Sequence, residues 1–392
     1  MLLSARETAD RLGVKLDTLY AYVSRGLLRS VEISGSRERH YDIGDVERFR
    51  TARGGPRQMR AQAEALMPVI GSAICLIENH RLYYRGQDAL HLADTATLED
   101  AAALLWSDGE ADFAAGEGAR PPGLPSAAKT AGLIERCQMR LAALSATDLA
   151  ALDLSRAGVI RTGRLIVAEL ASCVGAAVPS PAPAHHRLAE SWNLNAAGTD
   201  LIRRCLVLLA DHELNASTFV ARCVASTGAT PYAAVSAALA ALSGRFHGGA
   251  SARAEALFHG LTGNGGVAGD TDAMTVMAAR LARDEALPGM GQPLYPDGDP
   301  RATAILAAAR VAVPAQAAWI DRITAAAMRL TGQHPNVDFG LAAAATALGL
   351  PQGAALGLFV VARSVGWIAH AIEQYDSHVL IRPRARYIGR RP

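Results

Sequence analysis

The sequence predicts an all-α body carried behind a small mixed front module, and three observations lead there. From about Met59 onward, segment after segment carries apolar residues at i, i+3 and i+4 spacing, separated by Gly/Pro loops. Outside the front module, strand signals are confined to "AICLIENHRLYYRG" at 73–86, which reads as a short hairpin. Residues 1–57 differ in kind: two short helical patterns are followed by strand, turn and strand. At 392 residues the chain is long for one domain, and half of it is apolar, ample for a large core.

The front module is read first. "SARETADRLGV" places Ser4 three residues before Glu7, a capping box, with Ala9, Leu12 and Val14 at helical spacing. Gly13 stops that helix, and Asp17 is positioned to cap a second one within "KLDTLYAYVSRGLL". Two short helices joined at Gly13 make a helix-turn-helix pattern. "VEISGSRERHYDIGDVERF" then reads as a strand, a Ser-Gly turn, a second strand and a last helix after Asp45, a winged arrangement. It resembles the winged helix-turn-helix heads of the MerR and excisionase type. That resemblance implies contact with duplex DNA: Asp17, Thr18, Tyr20, Ala21, Tyr22 and Arg25 near the reading face, with Arg37, Arg39 and His40 on the wing. The module carries eleven Arg or Lys against eight Asp or Glu, a modest phosphate-binding surplus. A protein-interaction or dimerisation module of the same fold remains the alternative. "TARGGPRQMRAQ" follows as a linker.

Helices of the body are predicted in "LEDAAALLWSDGE", "LIRRCLVLLADHEL", "PYAAVSAALAALSG", "RATAILAAAR" and "AALGLFVVARSVGWIAHAIEQ". The third carries both boundary signals, with Thr230 as N-cap, Pro231 in the first turn and Gly244 at the exit. Ala-rich composition favours helix, and "VPSPAP" is the one biased loop. Cations are nearly all Arg, the lysines being Lys15 and Lys129, and a formal charge of +2 argues against a chain basic throughout. Five cysteines without a CxxC pair or a His cluster read as free thiols in a reducing compartment, and no metal site is expected. The N-terminus is charged too early for a secretory signal, and no uninterrupted apolar run is long enough for a bilayer, so the expectation is a cytoplasmic chain with no membrane partner.

Four polar islands interrupt the apolar body: "DHELNAST" at 211–218, "GRFHGGA" at 244–250, "GMGQPLYPDGDPRA" at 289–302 and "HPNVDFG" at 334–340. Each has a plain structural reading. His212 suits a helix C-terminus, His247 a turn, and Asp338 an N-cap. The two glycines after His247 leave backbone N–H groups open to a ligand. Arg301, in the first turn after Asp-Pro, has the wrong charge for the helix dipole, which favours ligand binding.

Taken in order, "YYRG", "HELNASTFVAR", "GRFHGGA", "GMGQPLYPDGDPR", "PNVDF", "ARSVGWIAHAIEQ" and "IRPRARYIG" strongly resemble citrate synthase, from about Ile70 to the C-terminus. The resemblance implies a large helical domain at 58–248 and 345–392, a smaller inserted helical domain at 249–344, and a homodimer with shared active sites. It implies condensation of acetyl-CoA, or another short acyl-CoA, with oxaloacetate or a related 2-oxo acid, then thioester hydrolysis. That is the citrate-forming step of the tricarboxylic acid cycle, with no permanently bound cofactor. Asp338 then is the base and His247 the donor to the thioester oxygen, because a thioester α-proton leaves only if its enolate oxygen is stabilised. His212, Arg301 and Arg363 bind the dianionic keto acid, and Arg382 reaches it from the other subunit.

One position departs from the pattern. Where the family motif reads Gly-x-Gly-His, and that His donates to the acceptor's ketone, this chain has Gln292. An amide still donates a hydrogen bond but passes no proton, and one well-placed donor of this kind is worth about 10²–10³ in rate. Three readings follow: an enzyme with weakened or altered acceptor activation, a non-catalytic acyl-CoA or keto-acid sensor reporting to DNA through the front module, or an impaired variant.

Overall fold

Burial of the apolar helix faces builds two separate units, residues Met1–Gly71 and Ser72–Pro392. The computed structural model describes residues 2–12, 14–24, 28, 30–32, 39–43, 45–46, 69–107, 130–175, 182–262, 270–385, 387 and 389. The expected boundary at 57, the stop at Gly13, the linker and most of the helix after Asp45 lie outside these residues.

In the first unit, helix α1 (Ala5–Leu12) and helix α2 (Leu16–Ser24) pack on an antiparallel sheet of order β1-β3-β2. The strands are β1 (Leu2–Ser4), β2 (Val31–Glu32) and β3 (Arg39–Asp42). The capping box forms: Ser4 N–H and Oγ donate to Glu7 at 2.8 Å, and Glu7 N–H donates back to Ser4 Oγ at 3.3 Å. Asp17 does not cap α2, because the helix already begins at Leu16 and Asp17 sits in its first turn. β1 has no clear sequence signal; it exists through pairing with β3, Leu3 opposite Tyr41. The core is Leu3, Ala9, Leu19, Tyr22, Leu28, Tyr41 and Val46. Tyr22 is therefore a core residue at 8% exposure and not a base-reading one. Tyr20 and Asp17 are exposed on α2, Thr18 is half-buried, Arg39 is exposed and His40 half-buried on β3. Arg25 and Arg37 lie outside the described residues, as does the side chain of Ala21.

The second unit opens with the expected hairpin, β4 (Cys75–Glu78) against β5 (Arg81–Tyr84), extended by β6 (Gln87–Asp88). Helices follow: α3 (Ala89–Thr95), α4 (Leu98–Trp106), α5 (Leu133–Ser145), α6 (Arg156–Val174), α7 (Ala184–Ser191) and α8 (Ala196–Leu209). Next come α9 (Ala216–Ala225), α10 (Pro231–Leu242), α11 (Gly249–Thr262), α12 (Asp270–Leu281), α13 (Pro300–Ala312), α14 (Pro314–Thr331), α15 (Val337–Ala347) and α16 (Ala354–Ser377). Side-chain caps set several starts: Thr230 with Pro231 for α10, Asp299 with Pro300 for α13, Asn215 for α9 and Asn336 for α15.

Helix α16 corrects one expectation. It is long and apolar enough to cross a bilayer, yet nearly all of it is buried inside the unit, where Trp367, Val360, Val361 and Ile368 are fully enclosed. Each such side chain contributes about 1.5–3 kcal/mol on burial, which makes α16 the core helix on which α6, α9 and α10 pack. The cysteines are all free thiols; Cys137 and Cys205 are buried and the other three partly so.

Candidate active site

Five separate stretches of chain bring their polar residues together at the loop between α12 and α13. The loop is stitched to the start of α15: Gly291 N–H donates to His334 O (2.7 Å), Asn336 N–H to Gly289 O (2.8 Å), and Asn336 Nδ2 to Gly291 O (3.0 Å). Gly289 is required here, since its φ is +83° and a Cβ would lie 2.8 Å from that of Phe339. The loop and Asp338 are thus held by one residue, Asn336, which also caps α15 by accepting from Asp338 N–H at 3.0 Å. Asp338 is consequently freed from the cap role. Its carboxylate instead accepts a short hydrogen bond from buried Ser251 on α11. Burial raises its pKa, only partly opposed by Ser251 and Arg301, so the ionised form is a stronger base than an ordinary carboxylate.

His247 lies in the turn between α10 and α11. Gly248 is there for that turn, because a Cβ would meet Leu242 O at 2.6 Å, and Gly249 N–H is spent on Gly244 O at 3.2 Å. Gly249 N–H is thus used within the turn, while among the described residues no hydrogen bond engages Gly248 N–H. His247 Nε2 is 2.8 Å from Ser217 Oγ, and its ring meets Phe359 edge-on at 6.1 Å. Burial and the Arg363 charge bring its pKa down to about 4, so it is neutral at pH 7. Ser217 also accepts from Trp367 Nε1 (3.1 Å) and donates to Asn215 Oδ1 (2.8 Å). Its single hydroxyl proton decides which nitrogen of His247 carries the ring proton.

The cationic side of the site is buried. Arg301, 2% exposed at the start of α13, donates through Nε (3.0 Å) and Nη2 (2.8 Å) to the two oxygens of Asp299. Burial opposes its charge, but Asp299 outweighs that and holds the guanidinium protonated. Arg363, 1% exposed on α16, donates from Nε to Leu209 O at 2.8 Å and lies over the Phe359 ring at 4.7 Å. Among the described residues no hydrogen bond engages its Nη1 or Nη2. Burial lowers its pKa and Asp211 opposes the shift. His212 does not cap α8, which ends at Leu209 with Ala210 as C-cap. It is buried, with Nε2 3.0 Å from Tyr295 Oη, and burial plus the charges of Arg301 and Arg363 keep it neutral.

Asp338, His247, His212, Arg301 and Arg363 therefore share one electrostatic environment. Gln292 stands at the rim, half-buried, its Oε1 3.5 Å from Leu294 N. Arg382 is not among the gathered residues: it is exposed on the extended segment after α16. Sequence reasoning missed Asp299, Tyr295, Ser217 and Ser251. Only Asp299 had a signal, as the acid of an Asp-Pro helix start two residues before Arg301. The arrangement offers a carboxylate made more basic by burial and a neutral histidine, with two buried guanidiniums for an anion.

Comparison with known proteins is in line with that chemistry. The citrate synthase C-terminal domain pattern matches residues 65–384, and the MerR helix-turn-helix regulatory pattern matches residues 3–54. The chain is 32% identical over 348 residues to citrate synthase of Haloferax volcanii, spanning 79% of this chain and 90% of that one. It is 36% identical over 195 residues to citrate synthase 2 of Bacillus subtilis, a match spanning 51% of that protein and 48% of this chain. It is 39% identical over 189 residues to 2-methylcitrate synthase of Mycobacterium tuberculosis, covering 47% of each. The solved citrate synthase of Thermotoga maritima superposes with a TM-score of 0.66 at 25% identity, over 83% of this chain and 94% of that one.

Proposed function

This chain belongs to the citrate synthase family, and on that premise we propose that it condenses a short acyl-CoA with oxaloacetate or a related 2-oxo acid and then hydrolyses the thioester. The observation that carries this reading is a carboxylate made more basic by burial, Asp338, and a histidine held neutral, His247, each tied to the same pair of buried arginines: Arg301 acts on Asp338 and Arg363 on His247. Asp338 takes the proton from the carbon next to the thioester carbonyl. His247 donates through Nδ1–H to the thioester oxygen as the enolate forms, which requires Ser217 to turn its hydroxyl proton from Asn215 to His247 Nε2. The enolate carbon then attacks the ketone, whose oxygen is protonated to the hydroxyl in balance with the proton removed from the α-carbon. Water cleaves the thioester C–S bond to release free CoA and the tricarboxylate.

The keto acid's carboxylates go to Arg301 and Arg363, and His212 acts on the acceptor through the Tyr295 phenol that its Nε2 meets. Asp299 already offsets much of the Arg301 charge, so a dianion calls for more positive charge than one chain gathers here. That supports a homodimer in which Arg382 of each copy completes the other's site. The body then divides into a large domain at 58–248 and 345–392 and a small one at 249–344 that closes over the substrates. Acetyl-CoA and propionyl-CoA, the substrates for citrate and 2-methylcitrate, suit these residues equally. Gln292 weakens activation of the ketone by supplying an amide in place of an imidazole.

The test is release of CoA thiol from acetyl-CoA or propionyl-CoA with oxaloacetate. Release above background is expected, and ligand binding without release refutes the enzyme. A second reading, a non-catalytic sensor of acyl-CoA or keto acid that regulates DNA, is favoured by the helix-turn-helix module on the same chain as Gln292. It is tested by binding to the chain's own promoter DNA across a salt series. Affinity should fall with salt through cationic phosphate contacts such as Arg39, and a flat response excludes phosphate contacts.

A further inference from the structure

We propose that Tyr295, and not Gln292, is the principal hydrogen-bond donor to the acceptor's ketone oxygen. The inference rests on the condensation reading above. Tyr295 and Gln292 belong to one turn, closed by Tyr295 N–H donating to Gln292 O at 2.9 Å, and the turn sends the two side chains to different places. Gln292 remains half-buried at the rim, its amide oxygen beside the Leu294 N–H of the same turn. Tyr295 goes inward, 1% exposed, with Oη 3.0 Å from His212 Nε2.

Two physical features suit this phenol to the task. A phenol O–H is a more acidic donor than a carboxamide N–H, so its hydrogen bond strengthens more as negative charge builds on the ketone oxygen. The Arg301 guanidinium lies 5.6 Å over the same ring, where it favours negative charge shifting onto the phenol oxygen. His212 completes the geometry. Being neutral, it presents either an N–H or a lone pair at Nε2. With the N–H there, it donates to Tyr295 Oη and leaves the phenolic hydrogen for the ligand. With the lone pair there, it accepts that hydrogen while the site is empty. Entry of a ketone beside Arg301 selects the first arrangement. Burial also holds the phenol's pKa up at about 12, so the donor proton is in place throughout the physiological range.

The test is isotope-edited infrared spectroscopy of [2-¹³C]oxaloacetate on the full-length protein. In the wild type the bound ketone band should lie below its position in water. Tyr295→Phe should return it towards that position and lower turnover by about 10²–10³-fold with KM for acetyl-CoA unchanged, whereas Gln292→Ala should move the band less. The reverse order, with Gln292→Ala moving the band more, overturns the assignment and leaves the condensation reading intact. Failure of the wild type to bind oxaloacetate overturns both. Should Tyr295→Phe not fold, 3-fluorotyrosine at position 295 keeps the packing and makes the phenol more acidic. A more acidic phenol donates more strongly, so the bound ketone band should move further from its position in water, and an unmoved band overturns the assignment.

Discussion

Asp299→Asn is the change whose consequences the site geometry defines most sharply. The carboxylate is 1% exposed and accepts from Arg301 N (3.0 Å), Arg301 Nε (3.0 Å), Arg301 Nη2 (2.8 Å) and Val337 N (3.1 Å). It caps α13, neutralises a buried guanidinium and ties the start of α13 to the start of α15. Asparagine keeps the shape and one acceptor oxygen, so no cavity opens. What is lost is the counter-charge of Arg301, 2% exposed, together with two of the four accepted hydrogen bonds, because the amide NH2 faces N–H donors. Removing one member of a buried pair costs about 3–5 kcal/mol, because the remaining charge is left desolvated. At 1.36 kcal/mol per decade this is a rise of about 10²–10⁴-fold in the unfolding constant. A dianionic keto acid supplies a replacement counter-charge, so the deficit should shrink when oxaloacetate is present. The assay is urea unfolding followed by tryptophan fluorescence at one protein concentration, with and without oxaloacetate. A deficit below about 1 kcal/mol without ligand, the level of an exposed pair, refutes the account of Arg301 as a desolvated cation. An equal deficit with and without ligand refutes its role in binding the keto acid.

The remaining predictions concern chemistry and pH. Gln292→His adds an imidazole donor at the rim and should raise CoA release by about tenfold or more, within the range one such donor is worth; unchanged turnover means that residue 292 does not reach the ketone. Asp338→Asn should lower CoA release by about 10²–10⁴-fold while oxaloacetate binding persists, and retention of turnover would remove Asp338 as the base. His185 and His247 are both held to about 4, chiefly by burial. Their unfolded forms take up protons first, near pH 6.5, so their contribution to stability is full above that pH and is lost as pH falls towards 4. His185→Gln should therefore flatten the stability profile between pH 6.5 and 4, measured as urea midpoints, and a profile of unchanged slope contradicts the burial argument.

What the sequence determined by itself is whatever depends on neighbours along the chain. The Ser4–Glu7 capping box, Thr230 and Pro231 at the start of α10, the hairpin at 75–84 and the period of α16 follow from local propensity and spacing, which act within one or two helical turns. The candidate residues Asp338, His247, His212 and Arg301 were legible too, as polar breaks in an apolar chain, and Arg363 through the family resemblance. Tertiary structure decided what those residues face. β1 exists only through its pairing with β3, and Tyr22 turned from surface to core by joining the cluster that Leu3, Leu19 and Tyr41 form. Asp338 lost the cap to Asn336 and gained Ser251, which lies 87 residues away. Tyr295 met His212 across 83 residues, a contact for which local pattern holds no signal. The strengths of the base, the neutral histidines and the buried guanidiniums belong to the same level, because desolvation and charge proximity depend on distances that the chain acquires only when it folds.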